Sequence, residues 1–239
     1  EHNKPTDIGP IAIDYPDANF VVYHSGIYAG TGGTPSAALI HPTNVENIPY
    51  DAKTANPLGV NMLIRSLIDN GVILDPDHPN PKVTLPARLN VFAEMGSAWS
   101  NVMKDTVASQ HYIGKLLKYL GPNNIVWGTD CILSPNPQSQ IDAFRAFTIT
   151  PQFQEMYGYP ALTPAIKAQI FGLNAARIYH VDPTAARCKV QNSSFAMLKR
   201  QLDEGIGARR WAVKPPLGPR DLQEYYAHAR AERFKGVPG

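Results

Sequence analysis

The chain has 239 residues, 44% of them hydrophobic and 18% charged, an ordinary globular composition that excludes collagen, coiled coil and wholesale disorder. Lys and Arg (22) nearly balance Asp and Glu (20), and the net charge of +2 does not suggest a nucleic-acid binder; no apolar run reaches the roughly 18 residues of a membrane span. Cys131 and Cys188 are too few for a disulfide framework, which favours a reducing, cytoplasmic compartment, and 22 Pro with 18 Gly predict elaborate loops.

The first clear element is a strand over Phe20 to His24 (FVVYH), entered from the turn-rich Tyr15-Pro16-Asp17-Ala18-Asn19 and closed by Ser25-Gly26. The loop from 27 to 57 carries Gly30 to Gly33 (GTGG), which lacks the spaced glycines and Lys of phosphate-binding loops and reads as a flexible lid. Helical periodicity follows from Leu58 to Ile68, with apolar residues at 60, 63, 64, 67 and 68. His41-Pro42 and His78-Pro79 sit in Pro-rich stretches and read as solvated loop. A second strand spans Leu89 to Met95 (LNVFAEM) and stops at Gly96-Ser97. A helix over His111 to Leu120 has its apolar stripe at 112, 113, 116, 117 and 120. The third strand, Ile125-Val126-Trp127, runs into Gly128-Thr129-Asp130. Thr163-Pro164 starts a helix that continues through Ala165 to Tyr179, with Thr as N-cap and Pro in the first position.

Short strands that are apolar on both faces, separated by helices, indicate an α/β fold with parallel strands and right-handed crossovers. Past Asp182-Pro183 the pattern weakens, so the division is a body over residues 1–182 and an extension over 183–239 that wraps it. The extension holds an amphipathic helix (Phe195 to Leu202), Arg209-Arg210-Trp211, a Pro215-Pro216 break and a polar helix near Asp221 to Arg233.

Side chains alternate along a strand, which puts His24 in line with Phe20 and Val22, and Asp130 in line with Val126. Both then stand at carboxyl ends of parallel strands, where ligands of α/β proteins bind. Glu94 occupies the comparable place on the middle strand, so a His, a Glu and an Asp converge on one rim. Such a set can hold a divalent metal or transfer protons. Trp99 reads as rim or core packing with a substrate-binding role as the alternative, and Cys131, next to Asp130, reads as a buried inert thiol facing away from the cavity.

Four runs, FVVYHSG (20–26), LNVFAEMGSAW (89–99), LGPNNIVWGTD (120–130) and IFGLNAARIYHVDP (170–183), resemble the amidohydrolase superfamily, in particular its branch of metal-dependent hydrolases, lactonases and non-oxidative decarboxylases. The resemblance implies a (β/α)8 TIM-barrel type fold, with this chain supplying roughly strands 5–8 and a C-terminal extension. It further implies a divalent cation, zinc or manganese, on His2, His24 and Asp130, with His24 and Asp130 catalytic and Glu94 and Trp99 binding substrate. The family's H-x-H pair is missing, because the histidines at 2, 24, 41, 78, 111, 180 and 228 are never two apart. The first Met is Met62, and both facts give the expectation of a carboxyl-terminal part whose first strands come from elsewhere in the same protein or from a partner chain.

The expected activity is metal-dependent hydrolysis of an ester, lactone or amide of a small organic acid. Decarboxylation of an aromatic or unsaturated acid is the alternative. A non-catalytic structural subunit and a flavodoxin-like small-ligand binder are the contrasting classes. A small-molecule substrate is expected as partner, with no nucleic acid and no membrane, and homo-oligomerisation is left open.

Overall fold

The structure is a computed structural model that describes residues 4–28, 46, 48–53, 56–131, 137–191 and 193–205, without the side chains of 188, 189, 199 and 201–205. Three parallel strands form one sheet in the order β1 (Phe20–Val22), β2 (Val91–Glu94), β3 (Ile125–Val126). Phe20 pairs with Val91, Val22 with Ala93, and Glu94 with Val126, so the carboxyl ends of all three strands meet on one side. The polypeptide reaches β1 through helix α1 (Ile8–Asp14), and β2 through α2 (Asn61–Asp69). Two helices, α3 (Gly96–Val102) and α4 (Thr106–Tyr119), connect β2 to β3. Helices α5 (Pro137–Ala146) and α6 (Pro151–Tyr157) follow. This is the α/β architecture with parallel strands that the pattern of short apolar runs predicts.

The helices form where local chemistry favours them. Asp105 caps α4, its carboxylate accepting the N–H groups of Val107 and Ala108 at 2.8 and 2.9 Å, so the helix starts five residues earlier than the apolar stripe suggests. Thr163 caps the helix after it as expected, accepting from Ile166 N–H at 3.3 Å. That helix is three pieces in line: α7 (Pro164–Ala168), a π-helical turn (Gln169–Leu173) and α8 (Asn174–Ile178). A π turn displaces the regular i to i−4 bonding and frees a carbonyl. Here the Ile170 carbonyl accepts the Trp127 N–H at 3.1 Å, which seals the outer side of β3. Asn174 Nδ2 completes the seal by donating to Pro122 O and Ile125 O, both at 2.8 Å.

The core lies between the sheet and α2, α3 and α4. Leu63, Ile64 and Leu67 of α2, Val91 and Ala93 of β2, and Ile113 and Leu116 of α4 are wholly buried in it. An aromatic wall extends the core toward α5: Trp99 meets Phe144 edge-on at 5.1 Å and Phe147 at 5.4 Å between ring centroids. Inside it, Lys115 of α4 is fully buried against Glu46 at 2.5 Å and donates to Asn61 Oδ1 at 2.9 Å.

Beyond residue 182 the chain continues as α9 (Pro183–Gln191) and α10 (Ser194–Gly205), which contact each other. Phe195, Met197 and Leu198 of α10 are exposed. The predicted lid at Gly30 to Gly33, His41, the Arg209-Arg210-Trp211 run and the helix near Asp221 to Arg233 lie outside the described residues. No helix of the described residues is long and apolar enough to cross a membrane.

Candidate functional site

The strand β1 ends at Val22, two residues short of the predicted end. His24 and Ser25 adopt left-handed backbone conformations (φ 52° and 55°), and Gly26 does the same at 61°. Left-handed residues abolish the alternation of a strand, so His24 reaches the sheet rim from a tight turn rather than from the last pleat. Such φ values cost about 1–2 kcal/mol per non-glycine residue. Named bonds hold the turn in place. The His24 N–H donates to Glu94 Oε2 at 3.0 Å, and the buried Ser25 hydroxyl donates to the Glu94 carbonyl at 2.8 Å. Ser25 Oγ also lies 2.8 Å from the hydroxyl of Tyr112, a fully buried residue of α4.

This turn sets the imidazole between two carboxylates. His24 Nε2 lies 3.3 Å from Asp130 Oδ2, and Nδ1 lies 3.9 Å from Glu94 Oε2. Ser97, at the start of α3, donates its N–H to Asp130 Oδ2 at 2.9 Å and to His24 Nδ1 at 3.2 Å. Its hydroxyl is nearly equidistant from both ring nitrogens, at 3.3 and 3.2 Å, so it bridges them and favours neither. Tyr23 closes the outer side: its hydroxyl donates to Asp130 Oδ1 at 2.8 Å and its ring lies 3.7 Å from that of His24.

Electrostatics follow from this enclosure. Burial pushes the His24 imidazolium below the usual histidine range, against the opposing pull of Asp130, so the ring is neutral at neutral pH. Burial likewise pushes Glu94 up, opposed by the N–H of His24 and assisted by the Asp130 charge. The bond to Asp130 raises the Tyr23 phenol, which keeps its proton.

Glycine is required where Glu94 passes the third strand. A Cβ on Gly128 would collide with Glu94 Oε1, so Gly128→Ala either displaces that carboxylate or distorts the strand. Overpacking of this kind costs about 1–3 kcal/mol. The expected result is a lower urea midpoint together with loss of the His24 turn; an unchanged midpoint would show that Glu94 can move aside freely.

The structure therefore brings His24, Glu94 and Asp130 together at the carboxyl ends of the strands. Glu94 is turned inward, its carboxylate holding the His24 backbone. Trp99, weighed above as substrate-binding, is instead fully buried: α3 begins at Gly96, and its helical turn carries the indole into the aromatic wall, where Nε1 donates to Gln140 O at 3.0 Å. Cys131 corrects another expectation. It is exposed, because Asp130 has a left-handed φ of 46° and the strand pleat does not continue to position 131. His2, the third expected ligand, lies outside the described residues. Tyr23, Ser25, Ser97 and Tyr112 were not apparent as site residues from the sequence. The one available signal was adjacency: Tyr23 and Ser25 flank His24, and Ser97 follows the glycine that ends β2.

Residues 76–181 match the family model for amidohydrolases. That segment is similar to the amidohydrolase superfamily. The matched segment includes β2, β3, Glu94, Ser97 and Asp130; Tyr23 and His24 precede it and join the site through the fold. Neither a curated protein nor a solved structure matches the chain.

The superfamily is in general dependent on a divalent metal. The 3.3 Å separation of His24 Nε2 and Asp130 Oδ2 lets one cation touch both, and an imidazole paired with a carboxylate is donor chemistry that zinc and manganese accept. Among the described residues no group of three or more His, Cys, Asp or Glu is arranged to hold a metal ion. The fit is thus that of a ligand pair.

Proposed function

We propose that this chain forms the carboxyl-end rim of a TIM-barrel hydrolase that cleaves an ester, lactone or amide of a small organic acid. The observation that carries this reading is the His24–Asp130 contact of 3.3 Å past the carboxyl ends of β1 and β3, with Glu94 of the intervening β2 beside it. A divalent cation on His24 and Asp130 would supply Lewis acidity toward a carbonyl and a more acidic water.

The chain's own groups then have defined tasks. Neutral His24, held beside Asp130, either ligates the cation or, where it does not, relays a proton. Asp130 accepts the proton of the attacking water on Oδ2 and returns it to the leaving group, while Ser97 N–H steadies the same oxygen. Glu94 anchors the His24 backbone and keeps the imidazole over the sheet end. Further strands, from the same protein or a partner chain, would add beside β1, whose outer edge pairs with no other strand among the described residues.

The test is turnover of a panel of aryl esters, lactones and anilides by the zinc- or manganese-loaded protein. Turnover in the wild type and its loss in Asp130→Asn, with unchanged circular dichroism, is the expected result. Carbon dioxide release from an unsaturated acid without hydrolysis would replace this reading with the decarboxylase. A folded protein that takes up no metal and turns over nothing would support a structural subunit.

A further inference from the structure

The Asp130 carboxylate faces three groups with two oxygens. Oδ2 points at His24 Nε2 and accepts the Ser97 N–H; Oδ1 accepts the Tyr23 hydroxyl. An aspartate needs such donors to keep one orientation, because each oxygen has lone pairs to spare and the carboxyl group rotates about a soft torsion. The Ser97 N–H is backbone and fixed by α3. Tyr23 is therefore, among the described residues, the side-chain hydroxyl that holds the Asp130 carboxylate in this orientation beside His24.

Tyr23 is 62% exposed, between the buried Val22 and the turn residue His24, and its ring lies over the imidazole instead of over the core. A tyrosine so exposed contributes little by burial, yet it makes a 2.8 Å bond to a carboxylate and covers a histidine face. Both contacts converge on the pair that the reading above assigns to the cation, and partners of ligating groups fix ligand orientation.

We propose that Tyr23 is the positioning residue of this site: its hydroxyl fixes the Asp130 carboxylate against His24 and thereby sets the affinity of the pair for a divalent cation. This rests on the metal-dependent reading given under Proposed function. Removal of the hydroxyl frees Asp130 to turn toward solvent, and loss of an outer partner of this kind lowers metal affinity by about 10- to 100-fold.

The experiment is calorimetric titration of Zn2+ into the full chain as wild type, Tyr23→Phe and Tyr15→Phe, the last an exposed tyrosine away from the site. Expected are weaker binding by about 10- to 100-fold in Tyr23→Phe, wild-type affinity in Tyr15→Phe, and unchanged melting temperatures in both. Wild-type affinity in Tyr23→Phe overturns the proposal, as does an equal loss in both variants. A wild type that takes up no Zn2+ removes the metal reading, and a second measurement then decides the role of Tyr23. Diethyl pyrocarbonate modification of His24, mapped by peptide mass spectrometry, becomes severalfold faster in Tyr23→Phe if the hydroxyl bond holds Asp130 against the ring. An equal rate overturns the proposal.

Discussion

Lys115→Ala is expected to cost about 3–5 kcal/mol of stability, the usual penalty for leaving a buried charge without its partner. Lys115 and Glu46 are both fully buried. The lysine bridges α4 to the Glu46 segment and to Asn61 at the start of α2, and Glu46 Oε1 also accepts the Val60 N–H at 2.6 Å. Burial already pushes Glu46 up, with Lys115 as the main opposing influence, so removal of the ammonium leaves a carboxyl that must take up a proton or drag water inward. The size of that loss does not measure what the pair contributes. A buried ion pair gives up most of its attraction to desolvation, and a neutral replacement of similar volume is close to equal in stability. Lys115→Met combined with Glu46→Gln keeps the acceptor for Val60 and removes both charges, and it should recover most of the single-variant loss. Urea midpoints of the two variants decide the matter. Equal losses would mean that the site depends on the charges themselves.

That pair also marks the limit of what the sequence exposes. The strands were legible because they are short, doubly apolar and stopped by small residues, and their parallel order follows from the helices between them. Lys115 sits beside the apolar stripe at 112, 113, 116 and 117, where a stripe-based reading puts it in solvent; in fact α4 is buried nearly all round, and its lysine has to find an anion. Nothing local points to Glu46, which lies 69 positions away. The convergence of His24, Glu94 and Asp130 was readable from strand ends alone, but the manner of it was not. Left-handed conformations at His24, Ser25 and Asp130 are accompanied by bonds to Glu94, Tyr112, Ser97 and Tyr23, all of them tertiary. Strand alternation carried past those turns gives the wrong side for Cys131. The π turn at Gln169–Leu173 was hidden for a similar reason, since its cause is the Trp127 N–H on a neighbouring strand.

Acid should unfold this protein in part through one histidine outside the site. His111 is almost fully buried, with rings of Phe153 and Tyr157 at 5.1 and 4.8 Å and the Tyr159 hydroxyl 2.8 Å from Nδ1. Burial keeps the Tyr159 hydroxyl protonated, and it shares this hydrogen bond with Nδ1 inside an apolar cage that disfavours the charged ring. Burial first, and then the Lys115 charge one turn along α4, lower His111 from 6.5 to about 4. Between those values the unfolded chain binds a proton that the folded chain refuses, so stability rises with pH. The contribution is fully present above the unfolded value and is lost as the pH falls from about 6.5 through about 4, by up to roughly 3 kcal/mol. His111→Gln keeps an acceptor for Tyr159 and cannot titrate. Carboxylates that titrate in the same interval act on both proteins equally, so the difference between their profiles isolates the imidazole. Urea midpoints from pH 4 to 7 should fall more steeply for the wild type than for the variant, and parallel profiles would show that His111 protonates without cost inside its aromatic cage.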